Sequence, residues 1–218
     1  MPVRIGILGF VLAIGLSACQ SAPPPRDLVT PKLNLPAMGQ PQVRQGKVWY
    51  GWEAGGVQGQ RIYNRRLVAL DGNKATYVDA RGCRWTQHPW SFAPALSWRD
   101  CPSLTDAFQQ ITAVEGEIWP LALGKQVTYH FKGHDMRGGV WSGTRACRVA
   151  DEVEVRTAIG SHEVYQVVCD DPWRQNTWYV SPARNEVVLQ LSYQKPEKRL
   201  FRWELTEVTR PDYPTRAN

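Results

Sequence analysis

From Gly46 onward the chain is broken into short runs rich in valine, tyrosine, tryptophan and threonine. They read KVWYGW, RRLVAL, KATYV, GCRWTQ, KQVTYHF, TRACRVA, EVEVRT, HEVYQVVC, NTWYVS, EVVLQLSY and LFRWELTEV. Branched and flat side chains of this kind favour pleated chain, where they pack against cross-strand neighbours. Turn signals separate the runs at Asp71-Gly72-Asn73, Gly133-His134-Asp135, Gly138-Gly139 and Ala183-Arg184-Asn185. In EVEVRT, Val153, Val155 and Thr157 share one face while Glu154 and Arg156 share the other, the period of a half-buried strand. The pattern predicts an all-β fold, either an antiparallel sandwich or a half-open barrel. One stretch reads as a helix, Ser103 to Ile111, with Ser103 as N-cap and Asp106 at the third position.

Residues 46–209, roughly 165 of them, suffice for one well-packed domain. Within it GKVWY at Gly46 is echoed by GKQVTY at Gly124, which suggests two related β-units, 46–118 and 119–209. Residues 210–218 read as a flexible tail.

The start of the chain has the order of a secretory signal. Arg4 supplies a positive region, and Ile5 to Leu16 is a run of 12 uncharged residues. A membrane-spanning helix needs roughly 20, so this run is short for a permanent anchor. Leu16-Ser17-Ala18-Cys19 then resembles the lipobox of bacterial lipoproteins, an aliphatic residue and two small ones before cysteine. The resemblance implies that residues 1–18 are removed, that the Cys19 thiol carries diacylglycerol, and that the new amino group is acylated. Gln20, where aspartate would retain an enterobacterial lipoprotein in the inner membrane, implies an outer-membrane anchor facing the periplasm or the cell surface. Residues 19–45 then form a tether. Positions 20–45 hold six of the sixteen prolines. Such chain is extended and semi-stiff, reaching roughly 80 Å at most. Its expected job is to hold the folded part clear of the bilayer.

Cysteine usage agrees with an exported chain. Of five cysteines, setting Cys19 aside leaves Cys83, Cys101, Cys147 and Cys169, an even set that suggests two disulfides. Three pairings are open. The sequential one, Cys83–Cys101 with Cys147–Cys169, is favoured because each pair brackets a hairpin-sized segment. A zinc site is the rival reading, but the sequence has no C-x-x-C spacing. The formal net charge is +6, and losing Arg4 lowers it by one to +5. A moderately basic surface in that compartment suits anionic lipid or glycan better than nucleic acid, for which no motif is present.

No catalytic constellation stands out. His130, His134 and Asp135 give H-x-x-x-H-D, but Gly133 interrupts a β pattern there, and without a helix the spacing does not converge on a metal. Trp141 to Arg145, WSGTR, lacks the nucleophile elbow G-x-S-x-G. Asp170-Asp171 is the nearest thing to a carboxylate pair for glycosidase work, and adjacent acids in a proline-containing loop are ordinarily solvated. The reading is therefore a non-enzyme with no catalytic residue, metal or cofactor.

Ten tryptophans are more informative. Trp49, Trp85, Trp178 and Trp203 sit in strand patterns and suit a core. Trp90, in HPWSFAP, and Trp173, in DDPWRQ, lie in proline-flanked loops, where aromatics serve as interface anchors. Arg84 and Arg174 are close enough in sequence to such rings for cation–π contacts. Trp90, Trp173 and Arg174 are accordingly the candidate partner-binding residues.

The second half also resembles a domain of uncharacterised proteobacterial envelope proteins. The resemblance rests on Trp119-Pro120-Leu121-Ala122-Leu123-Gly124, the stretch Gly160 to Cys169, Trp178-Tyr179-Val180-Ser181-Pro182 and Glu204-Leu205. It spans about Trp119 to Val208 and implies a curved antiparallel sheet, with no activity attached. Ala183-Arg184-Asn185 departs from the glycine-containing turn of that pattern. Together these readings give a lipid-anchored envelope protein that acts as an accessory or structural binding module. A carrier holding a lipid or glycan in a half-barrel cavity is the alternative, and a cell-wall polymer hydrolase is the third.

Overall fold

The valine- and aromatic-rich runs pair with one another in sequence order. In a computed structural model the described residues are 28–29, 33–40, 48–54, 63–89, 92–102 and 104–205. The strands are β1 (Leu28–Val29), β2 (Val48–Ala54), β3 (Tyr63–Asp71), β4 (Lys74–Asp79), β5 (Arg84–Gln87), β6 (Ser97–Arg99) and β7 (Ala107–Glu117). They continue with β8 (Gln126–Asp135), β9 (Val140–Thr157), β10 (Gly160–Asp170), β11 (Arg174–Ser181), β12 (Glu186–Gln194) and β13 (Arg199–Leu205). All pairing is antiparallel within one 13-stranded sheet. From β2 each strand bonds to the next, and β13 returns to bond β2. The circuit is thinnest at β6, which meets β7 through Ser97↔Phe108 and Trp98↔Ala107 alone. An all-β, barrel-like antiparallel sheet is thus the architecture.

Strand β9 makes the sheet bend. Its first half, Val140 to Arg148, pairs with β8, whereas Ala146 to Thr157 pairs with β10. A bulge at Ala150 shifts the register opposite Gln166 and Val167. Such a bulge raises local twist and lets one strand serve two sheet directions. TRACRVA and EVEVRT, read as two runs, are therefore one strand of 18 residues.

Apolar residues lie on both sides of β10. Tyr165, Val167 and Cys169 belong to one core with Val127, Tyr129, Cys147, Val149 and Val180. Val164, facing the other way, joins Val153, Val155, Tyr179 and Leu189. A third cluster of Leu67, Ala75, Tyr77 and Leu205 fills the other end, with Ile159 of the β9–β10 turn packed against it. Trp85 and Trp178 are half-buried beside these clusters, and Trp203 is half-buried under the guanidinium of Arg65. The side chain of Trp49 lies outside the described residues.

Two expectations of local structure are corrected. The stretch read as a helix is the approach to β7 and its first residues, Ser103 itself being outside the described residues. Asp106 does not cap; its carboxylate accepts the Asp100 N–H at 2.9 Å. Ala107 is fully buried opposite Asp135, so the pull toward β-pairing overrides a weak helix signal. Gly133-His134-Asp135 is not a turn either, because it continues β8, and the chain reverses at residues 136–139.

The tether is corrected as well. Leu28 and Val29 pair with Val155 and Glu154, and residues 33–40 lie against the core. Met38 is buried and exchanges backbone hydrogen bonds with Leu121 at 3.1 and 2.7 Å. The Leu35 N–H donates to Glu152 Oε2 at 3.1 Å, and the Tyr165 hydroxyl reaches the carbonyl oxygens of Leu35 and Pro36 at 3.0 and 2.7 Å. Proline bars this segment from central-strand pairing but not from packing as a strap. The signal region, Cys19 and residues 210–218 lie outside the described residues.

Candidate functional site

Trp173 stands in the turn between β10 and β11, and the residue that shapes this turn is Asp171. Its Oδ1 accepts the N–H groups of Trp173 and Arg174 at 2.9 and 2.8 Å, and its own N–H donates to the Arg174 carbonyl at 2.9 Å. Aspartate does this readily because its short carboxylate reaches the backbone two and three residues on. Its Oδ2 accepts from Arg145 of β9, through Nε at 2.9 Å and through Nη2 in a shorter contact. Arg145 also donates from Nη1 to the Phe92 carbonyl at 3.3 Å. Lys195, just after β12, closes the other side, donating from Nζ to the Asp171 carbonyl at 2.6 Å and pairing with Asp170 at 2.8 Å.

Arg145 and Asp171 are both buried. Burial lowers the Arg145 pKa, and the facing Asp171 charge offsets part of that fall. A paired charge of this kind fixes geometry, since leaving either partner alone inside the protein is costly. Trp173 remains 39% exposed, resting on Phe131 with ring centroids 5.8 Å apart. Arg174 is exposed beside it. The result is an aromatic and a cation displayed on a turn whose backbone is held by the Asp171 carboxylate.

The sequence-selected residues are distributed as follows. Trp173 and Arg174 share this turn, while Trp90 lies outside the described residues. Among the described residues neither Arg84 nor Arg174 sits over a ring, and the cation–π pairs are Arg65 with Trp203, Arg99 with Phe108 and Arg199 with Phe201. Cys83 and Cys101 are at disulfide distance, 1.96 Å between sulfurs, and Cys147 and Cys169 at 1.99 Å. The first pair clamps the β5–β6 hairpin, and the second crosses between directly opposed residues of β9 and β10. His130 and His134 project from β8 to different neighbours, Glu115 at 2.9 Å for the first and the Phe108 ring for the second. Asp170 and Asp171 are engaged by Lys195 and Arg145, which accounts for both acids. Arg145 was missed by sequence reasoning. The available signal was its alternation with Cys147 and Val149, which turns it inward.

A cavity of about 80 Å³ is lined by Arg65, Tyr77, Trp85, Gln87, Phe92 and Trp178 among others. It is smaller than the roughly 150 Å³ that admits a benzene ring. Burial lowers the Arg65 pKa to about 10 and raises that of Tyr77.

No protein-family model matches the chain, and no curated protein does. Among solved structures it is similar to the hypothetical lipoprotein YmcC of Escherichia coli, at 12% identity over 74% of this chain and 84% of that one, with a TM-score of 0.48. It is also similar to an exported protein of Bacteroides fragilis with a YmcC-like fold, at 12% identity over 78% and 97% of the two chains, with a TM-score of 0.40.

Proposed function

We propose that this chain is an outer-membrane lipoprotein, anchored through acylated Cys19, that acts by docking its β10–β11 turn onto another envelope protein and catalyses nothing. The observation that carries the docking reading is Trp173, 39% exposed on a turn held by a buried ion pair. Large aromatics on rigid supports make effective interface anchors because little side-chain freedom is lost on binding. The lipobox and the two cysteine pairs support placement outside the reducing cytosol. The carrier reading gains nothing from a cavity of about 80 Å³ lined by polar and aromatic groups. The hydrolase reading loses its best acids to Lys195 and Arg145.

The test is crosslinking in the producing cells followed by purification of the lipoprotein. The wild-type chain is expected to bring down one discrete envelope protein. Trp173→Asp is expected to lose it while the domain stays folded, with a melting temperature lowered only by the lost contact with Phe131. Retention of the same partner by a folded Trp173→Asp chain overturns the reading.

A further inference from the structure

The register of the β3–β6 sheet sorts its side chains into two sharply different faces. On the inner side Leu67, Tyr77, Trp85 and Trp98 stand opposite one another in a row across the strands. The next row faces outward and reads Arg66, Val78, Arg84 and Arg99. The three arginines are exposed, and among the described residues none makes an ion pair. By contrast Arg81, Arg145, Arg184 and Arg202 each meet a carboxylate. Asp79 is committed to Arg81 and the Cys83 N–H, and Asp100, next to Arg99, does not pair with it. Arg84 and Arg99 are direct cross-strand partners, an arrangement of like charges that weakens a sheet. A further outward row of hydroxyls, Thr76, Thr86 and Ser97, runs beside the arginines.

We propose that this arginine face of β3–β6 lies against an anionic lipid bilayer, the membrane that holds the acylated Cys19. The proposal rests on the lipid-anchor reading and adds to it an orientation. The structure pins the chain at Leu28, nine residues after Cys19. Nine residues span at most roughly 30 Å, so the domain stays close to its anchor. Leu28 pairs with Val155, and four residues further on Ile159 packs against the cluster of Leu67, Ala75, Tyr77 and Leu205, part of which lies on the inner side of the strands that carry the arginine row. The turn that follows the anchored pairing and the strands of the basic face therefore meet at one core cluster. Each arginine near an anionic surface strengthens binding about fivefold, which is weak for a free protein. A short tether supplies an effective concentration in the millimolar range, enough to make a weak contact persistent. Phosphate head groups would meet both the guanidinium forks and the hydroxyl row.

The experiment uses the mature lipoprotein reconstituted in vesicles carrying a dansyl-labelled lipid, with energy transfer from tryptophan as the readout. The chain has ten tryptophans, of which Trp85 and Trp98 lie in the strands of the basic face, so the part of the transfer that charge reversal removes reports the approach of that face to the bilayer. Transfer is expected to rise about twofold when phosphatidylglycerol replaces part of the phosphatidylcholine, and to fall back in high salt. The Arg84→Glu/Arg99→Glu chain should show no rise, while Arg84→Lys/Arg99→Lys should keep it. Equal transfer in both vesicle types, or a rise that survives charge reversal, overturns the proposal. Failure of the anchor reads differently, as a chain that does not float with vesicles of either composition.

Discussion

Arg145 of β9 and Asp171 of the β10–β11 turn, 26 residues apart in sequence, form a buried ion pair that sets the pose of Trp173. Removing one partner leaves the other charged inside the protein. Asp171→Asn and Arg145→Met are each expected to cost about 3–5 kcal/mol in urea denaturation. Replacing both by leucine together is expected to cost clearly less than the sum, because no lone charge remains. Additive losses would show that the pair is not coupled.

Cys147 and Cys169 are opposed in the ladder and buried in the main core. Replacing both by alanine is expected to lower stability by about 3 kcal/mol, since the loop they close is released in the unfolded chain. Thiol titration of the unreduced protein unfolded in denaturant should find none of Cys83, Cys101, Cys147 or Cys169 reactive. Free thiols at these positions would contradict the pairing.

Gly116 sits at φ +78° with a would-be Cβ only 2.8 Å from the Gln126 carbonyl oxygen. Gly138, at φ +87°, has nothing within 4 Å of that position. Gly138→Ala should cost about 1 kcal/mol from backbone strain alone, and Gly116→Ala more, because strand β8 must also give way. Equal melting-temperature losses would rule out the close approach of β7 to β8.

Tyr129 of β8 has its pKa raised by burial to about 12, with the Arg145 charge pulling it back down. An unfolded tyrosine ionises near about pH 10. A raised folded value means the contribution to stability is complete below about pH 10 and is lost as pH climbs toward about 12. Arg65, lowered to about 10, works in the opposite sense over the same range. The difference in stability between wild type and Tyr129→Phe should therefore be constant below about pH 10 and then move in the variant's favour. A difference flat through about pH 12 would contradict the burial of that hydroxyl.

Much of this fold is legible in local residue patterns. Val153, Val155 and Thr157 are buried as their alternation required, and the turns at Asp71-Gly72-Asn73 and Ala183-Arg184-Asn185 lie where their residue types favour them. Asn185 adopts φ 55°, a conformation asparagine tolerates without glycine. What depends on register is not legible in this way. Arg66, Arg84 and Arg99 are scattered in sequence and become a row only when three ladders are aligned. Arg145 and Asp171 meet through long-range pairing that no local window contains. The strap at residues 33–40 escaped for a similar reason: proline content forbids ladder bonds but carries no information about whether the segment packs on a core. That Trp173 lies exposed in a turn was legible from its proline-flanked loop, a local signal, while the aspartate that holds the turn was read as ordinary solvated acid.

The proposed lipid anchor is the condition for both the docking role proposed for the β10–β11 turn and the orientation proposed for the basic face. Its most direct test is the intact mass and amino-terminal sequence of the protein extracted from its native membrane. The account predicts a chain beginning at Cys19 whose mass exceeds the polypeptide by a diacylglyceryl group and an amide-linked acyl chain. A mature chain that begins elsewhere, or an unmodified Cys19, would contradict it.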